Sequence, residues 1–330
     1  MKPPKARKLK SGTWFIQLRI KGKSYSIHSD TKRDCETKAL IMKAELRSQI
    51  EGKVYPTLRE AIDAYCAKRS NVRSPATIES YIGIKNNRFQ SIMDLPINEL
   101  GDMEELVNAE SKKVSAKTLN NAYSLVKGAC KAYGVILPPV IMPQMVLTEH
   151  VFLEPEQIPV FIKLIEGEQF ELPMLLALHG LRRAEIFGLK TTNISDGFIR
   201  IRGGLVRDKD RKLVRNDVNK TYTSQRDVPV LIDRVNVLVK QWPTEQIYTG
   251  AEHSLYRRIN KICRDNDLPE VGVQGLRHSL ASLCYHLKLS ELETMKIGGW
   301  KTPEVMRKIY THLAQRDKSA AVDKLQDFFN

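Results

Sequence analysis

Near the amino terminus, apolar and polar residues alternate in two adjacent runs. Thr13-Trp14-Phe15-Ile16-Gln17-Leu18-Arg19-Ile20 is rich in strand-forming side chains, Lys21-Gly22-Lys23 supplies a tight turn, and Ser24-Tyr25-Ser26-Ile27-His28 alternates again. This predicts a β-hairpin. Asp30 or Thr31 can cap a following helix, Thr31 and Asp34 having capping-box spacing, and Leu40, Ile41, Ala44 and Ile50 give it an apolar stripe to lay on the hairpin. From residue 55 the period becomes helical. Thr57 caps a segment carrying Leu58, Ala61, Ile62 and Tyr65; Ser74-Pro75 opens another with Ile78, Tyr81, Ile82 and Phe89; Ser115 opens a third with Leu119, Ala122, Val126, Ala129 and Tyr133, stopped by Gly134. Lys85, Arg88, Lys112, Lys113, Lys117, Lys127 and Lys131 fall on the exposed faces of this segment. The proline-punctuated run Ile136 to Pro143 breaks the helix and reads as a linker. Beyond it helical patterns dominate, interrupted by one β region at Phe198-Ile199-Arg200-Ile201 and Arg226-Asp227-Val228-Pro229-Val230. The expected fold class is therefore α+β and multidomain: a small β-β-α unit at 1–52, a helical unit at 55–135, a linker at 136–147, and at 148–330 a mainly α unit with a small antiparallel β region.

Length agrees with this division, since 330 residues are too many for one small core. Charge adds a partner. The chain has 53 Lys and Arg against 38 Asp and Glu, a formal net charge of +15. Residues 1–50 alone hold 13 basic and 4 acidic side chains, well over half of the excess. Such a surface attracts polyanions and gains affinity by releasing their condensed counterions, and a two-stranded ribbon fits a DNA major groove. The five cysteines, Cys35, Cys66, Cys130, Cys263 and Cys284, are scattered without a CxxC pair, so they read as small buried hydrophobes in a reducing compartment and suggest neither disulfides nor zinc. The basic start lacks the apolar stretch of a signal peptide, and no run approaches the roughly 20 apolar residues of a membrane span. A soluble, cytoplasmic protein is expected, with no membrane partner.

Four separated pieces of the last unit carry the chemistry. They are His179-Gly180-Leu181-Arg182-Arg183-Ala184-Glu185; Lys220-Thr221-Tyr222-Thr223-Ser224-Gln225-Arg226; Gln274-Gly275-Leu276-Arg277-His278; and Ile297-Gly298-Gly299-Trp300, followed ten residues later by Tyr310-Thr311-His312. In order and type these resemble the tyrosine recombinase family, with its G-[LM]-R-x-x-E, hairpin lysine, H-x-L-R-H, G-[HW] and Y-x-H. The basic ribbon is similar to the arm-type DNA-binding domain of phage and conjugative-element integrases, and the helical segment to their SAM-like core-binding domain, so the resemblance covers nearly the whole chain.

The resemblance implies a site-specific DNA recombinase that integrates or excises a mobile or viral element, metal- and ATP-independent and without cofactors. Tyr310 would attack and hold the strand as a 3′-phosphotyrosine, conserving the bond energy. Arg182 and Arg277 would set bidentate forks on the nonbridging oxygens, where phosphorane charge develops. Lys220 would protonate the leaving 5′ oxygen. Trp300, at the family's His/Trp position, could donate its indole N–H to the phosphate, and Glu185, one turn beyond Arg182, would hold that arginine. Gln274 stands where the family has histidine; it can hydrogen-bond a phosphate oxygen but cannot titrate near neutral pH. His278 reads as structural, and Arg183 and Arg226, taken singly, as plain surface charge. The spacing from Trp300 to Tyr310 is one residue longer than the family's usual nine. Implied partners are double-stranded DNA at core and arm attachment sites, three more copies of the chain in a homotetramer on DNA, joined through a helical tail at Ala314–Phe329, and DNA-bending or excision factors. The setting would be the nucleoid of a bacterial host. A type IB topoisomerase shares the tyrosine, arginine and lysine chemistry but not the arm-like domain or the tail; a degenerate, site-occupying integrase is at odds with the intact Arg182, Lys220, Arg277 and Tyr310.

Overall fold

The computed structural model describes residues 5–20, 22–51, 54–145, 151–210, 212–215, 225–251, 253–300, 302–304, 307, 322, 326 and 329. The chain divides into two compact units, Met1–Leu147 and Thr148–Asn330.

The first unit opens with a three-stranded antiparallel sheet, β1 (Arg7–Lys8), β2 (Trp14–Ile20) and β3 (Lys23–Ser29). The expected hairpin is present and gains β1 as a third strand. Alternation decides its faces. Ile16, Leu18 and Ile27 are buried on one side, while Gln17, Arg19, Ser24, Ser26 and His28 are exposed on the other. The helix α1 (Lys32–Glu51) covers the buried side, its start marked by the Asp34 amide donating to Thr31 Oγ1 at 3.2 Å. Its stripe differs from the expected one: Cys35 and Ala39 are fully buried and Met42 packs beside them, whereas Leu40, Ile41 and Ala44 are half-buried. The spacing 35, 39, 42 is helical once cysteine is counted as a small hydrophobe. The Ile50 side chain lies outside the described residues.

Four helices follow: α2 (Leu58–Ala67), α3 (Pro75–Asn87), α4 (Met103–Ser111) and α5 (Ala116–Ala132). Thr57, Ser74 and Ser115 cap three of them as expected, Thr57 in a reciprocal capping box with Glu60. The short α4, capped by Asp102, was not evident from the periodicity. Leu58, Ile62, Phe89, Met93, Leu119 and Val126 belong to one core. Lys85 and Arg88 are half-buried and paired with Asp63 and Glu110, so they are less free to meet a polyanion than their helical positions suggest. Residues 135–145 have no regular structure, yet Leu137, Val140 and Met142 pack on that core and Tyr123 Oη donates to Pro138 O at 2.9 Å.

The second unit is built around α7 (Glu171–Leu178), which is buried on every face. Before it lies α6 (Gln157–Leu164); after it come α8 (Arg183–Gly188), the strands β4 (Ile194–Ser195), β5 (Phe198–Ile201), β6 (Leu205–Arg207), β7 (Leu213–Arg215) and β8 (Arg226–Pro229), and helices α9 (Arg234–Gln241), α10 (Ser254–Asp265), α11 (Val273–His286) and α12 (Glu291–Gly298). The expected β region is the antiparallel sheet β4-β5-β8, in which Ile199 pairs with Val228, both fully buried; β6 and β7 form a separate hairpin. A helix apolar all round needs cover on all sides, and α8, α9, α10 and α11 provide it. The one charge on α7, Glu171, is met by Arg234 Nε at 2.7 Å and Nη2 at 3.1 Å.

Candidate active site

The site forms where α7 ends. His179 is fully buried; its Nδ1 donates to Leu175 O at 2.7 Å and its Nε2 accepts from the Leu231 amide at 2.9 Å, an arrangement that needs the neutral ring. Burial pushes its pKa down in the same sense. His179 thus fixes the turn, and Gly180 makes it: φ is +82°, and a Cβ there would meet Leu280 Cδ2 at 2.8 Å.

The Gly180 carbonyl receives Arg277 Nη1 from α11 and Arg226 Nη2 from β8, the latter at 3.3 Å. Two residues on, Arg182 begins α8. Its amide and Nη1 each donate to Glu185 at 2.8 Å, and its Nη2 donates to Gly299 O at 2.7 Å. Arg226 Nη1 and Nη2 also reach the two Glu185 oxygens, both at 3.0 Å. One nearly buried carboxylate therefore holds two guanidiniums. Burial pushes the Glu185 carboxyl up, but the Arg226 hydrogen bonds and the charges of Arg226 and Arg182 outweigh it and hold it below the usual carboxylate range.

Arg277 is 1% exposed. Burial, then the charge of Arg182, pushes its guanidinium down to about 9, still a cation at neutral pH. Its Cζ lies 4.6 Å from the centroid of the Trp300 ring, a cation–π contact. Trp300 is buried with Phe152 and Ala281, and Gly298 leaves room for it, since a Cβ there would fall 1.8 Å from a ring carbon. Arg277 Nη2, Trp300 Nε1 and Arg226 Nε are buried donors with no acceptor among the described residues. Orphan buried donors are costly and rare; Arg277 Nη2 and Trp300 Nε1, on side chains already in cation–π contact, suit an anion, whereas Arg226 Nε lies against Gly299. One turn before Arg277, exposed Gln274 donates from Nε2 to His278 Nε2 at 3.2 Å, and His278 is buried, in keeping with a structural part.

Of the residues singled out from the sequence, Arg182, Glu185, Arg277 and Trp300 thus meet in one place, with Gln274 and His278 on the arginine's own helix. Lys220, Tyr310 and all but three residues of the Ala314–Phe329 tail lie outside the described residues. Arg183 is exposed. Arg226 is a correction: its side chain is 9% exposed and central to the network, not surface charge. Its strand held the clue. In β8, Arg226 shares parity with the fully buried Val228, so alternation turns it inward. Among the described residues no group of His, Cys, Asp and Glu is placed to hold a metal ion, and no helix is long and apolar enough to cross a membrane.

No protein-family model and no curated protein sequence matches the chain. Solved structures do. The Tn1549 transposon integrase in complex with transposon right end DNA superposes with a TM-score of 0.63 at 17% identity, over 82% of this chain and 99% of that one. A lambda integrase tetramer bound to a Holliday junction superposes with a TM-score of 0.58 at 16% identity, over 92% and 97%. A lambda integrase dimer bound to a COC′ core site gives 0.57 at 16%, over 93% and 94%. A likeness that spans nearly the full length of these integrases leads to one statement about the architecture: the chain has the tyrosine recombinase fold.

Proposed function

We propose that the protein is a site-specific DNA recombinase that cleaves and rejoins strands through a 3′-phosphotyrosine on Tyr310. The observation that carries this reading is the pair of orphan buried donors, Arg277 Nη2 and Trp300 Nε1, beside the anchored guanidinium of Arg182. A phosphodiester supplies the missing acceptors: its nonbridging oxygens would take Arg277, Arg182 and the indole N–H, and these contacts strengthen as charge accumulates in the phosphorane. Tyr310 gives up its phenolic proton to water and attacks phosphorus, the bond to the 5′ oxygen breaks, and Lys220 gives that oxygen its proton. Gln274 lies on the exposed side of α11 and offers a neutral hydrogen bond in place of the family's histidine. Rejoining reverses the steps with a different 5′ hydroxyl, so neither metal nor ATP enters.

The same reading assigns the basic sheet to an arm site, the helical segment to the core site, and the working assembly to a homotetramer that moves a mobile element in a bacterial host. Support comes from the charge of residues 1–50 and from the DNA-bound integrases of like fold. The test is recovery and sequencing of DNA covalently attached to the protein in expressing cells. Recurrent junctions are expected with the native chain and none with Tyr310→Phe; adducts that persist in that variant, or none with the native chain, contradict the proposal.

A further inference from the structure

Resting on that recombinase reading, we infer that Arg226 is a positioning residue that locks both phosphate-binding arginines, Arg182 and Arg277, in the disposition strand cleavage requires. Its guanidinium meets three separate chain segments. Nη1 and Nη2 bridge the two Glu185 oxygens at 3.0 Å, and Nη2 also reaches Gly180 O at 3.3 Å. The side chain lies against Gly299 so closely that a Cβ there would sit 2.5 Å from Nε. Each of these segments also holds an active-site arginine. Glu185 takes the amide and Nη1 of Arg182, Gly299 O takes its Nη2, and Gly180 O takes Arg277 Nη1. Among the described residues, every acceptor that orients Arg182 and Arg277 is therefore shared with Arg226 or packed by it.

Arg226 binds Glu185 and Gly180 through both Nη groups, turns its Nε to Gly299 and is far less exposed than Arg182 (9% against 38%), so we assign it to holding its neighbours and not to the phosphate. Without it, one face of the Glu185 carboxylate is released and Gly180 O keeps a single donor. Arg182 would then keep its charge and lose its aim, and misplacement by about an ångström can cost on the order of a hundredfold in rate. Arg226 also lies six residues beyond Lys220 in sequence, and it pairs with Ile201 of β5. Among the described residues, the charged groups facing Glu185 are all cations: Arg182 at the start of α8, Arg226 on β8 and, further off, Arg277 on α11.

The experiment measures single-turnover adduct formation on a nicked duplex carrying the DNA recovered from cellular adducts. Native protein, Arg226→Gln and Arg226→Lys are compared, with binding to the same duplex and thermal melting measured in parallel. Arg226→Gln should bind within about threefold of native yet react on the order of 100-fold more slowly. Its rate should also acquire an acid limb that the native profile lacks, because Glu185 deprived of Arg226 takes up a proton more readily. Arg226→Lys, which restores the charge, should recover about tenfold of the loss. A cleavage rate for Arg226→Gln within about threefold of native overturns the inference. So does a loss that merely follows the unfolded fraction, with no change in pH profile and no rescue by lysine. Absence of any adduct with the native chain fails one level earlier, on the recombinase reading itself.

Discussion

Positive charge is deployed in opposite ways in the two units. On the sheet of the first unit, the register Arg7–Phe15–His28 sets a cation and two rings side by side on the exposed face, with Arg19 exposed beyond them. Arg7 lies 4.9 Å over the Phe15 ring, and the Phe15 and His28 rings are 4.9 Å apart. These cations are solvated, so each would contribute to polyanion binding mainly by counterion release, where number matters more than exact placement. In the second unit Arg182 and Arg226 converge on one carboxylate, and Arg277, bonded to the Gly180 carbonyl, is almost wholly buried. There dehydration has already been suffered on folding, and placement decides. The surface charges would give affinity that salt erodes; the buried ones would give rate, which salt reaches far less.

That contrast is most sharply broken or sharpened at the buried end. Arg182→Ala and Arg277→Ala should each remove about 3 kcal/mol or more of transition-state stabilisation, over 100-fold in single-turnover cleavage, while binding at moderate salt changes little. A loss of less than about tenfold for either removes it from the site. Arg277→Met carries a second expectation. The buried guanidinium is depressed towards about 9, so burial costs folding free energy at neutral pH, and Gly180 O would retain Arg226 as a donor in the variant. Calorimetry should therefore show a melting temperature raised by roughly 2–4 °C alongside the lost cleavage. A fall of similar size would show that Arg277 is held for stability.

At the exposed end the effects are smaller and of another kind. Arg7→Ala and Arg19→Ala should each lower the slope of log affinity against log salt for a full attachment site by about 0.9 and leave cleavage of a short core duplex unchanged. An unaltered slope would show that this face does not touch phosphate. The smallest expected effect is a pH dependence at Glu185. Its carboxyl is depressed in the folded chain, so its contribution is complete above the ordinary value of 4.5 and fades as pH falls through the folded value. Chemical denaturation should find Glu185→Gln less stable than native by about 1–3 kcal/mol near pH 7, with the gap narrowing below pH 4.5. A gap independent of pH would remove the ionised carboxylate from the network.

Much of this organisation was legible in the sequence, and the exceptions share a cause. Strand alternation gave the hairpin, cap residues gave the starts of α2, α3 and α5, and the ordered motifs gave Arg182, Glu185, Arg277 and Trp300. The strand β1, two residues long, and the nine-residue α4 are too short to carry a period. The stripe of α1 was displaced because Cys35 and Ala39 are small, and burial there is decided by how closely the sheet approaches. Arg226 was misread because charge prevailed over parity: its strand position faces inward, and only the partnership with Glu185 and Gly180, 41 and 46 residues away in sequence, makes a buried cation tolerable.

The central claim is a covalent bond between one tyrosine and DNA, and mass spectrometry reads it directly. Adducts trapped on the nicked duplex would be trimmed with nuclease and protease, and the modified peptide sequenced. The account predicts nucleotide attached through its 3′ phosphate to Tyr310 and to no other side chain, at levels unchanged by EDTA. A nucleotide on any other residue, a 5′ linkage, or an adduct that forms only with divalent metal would contradict it.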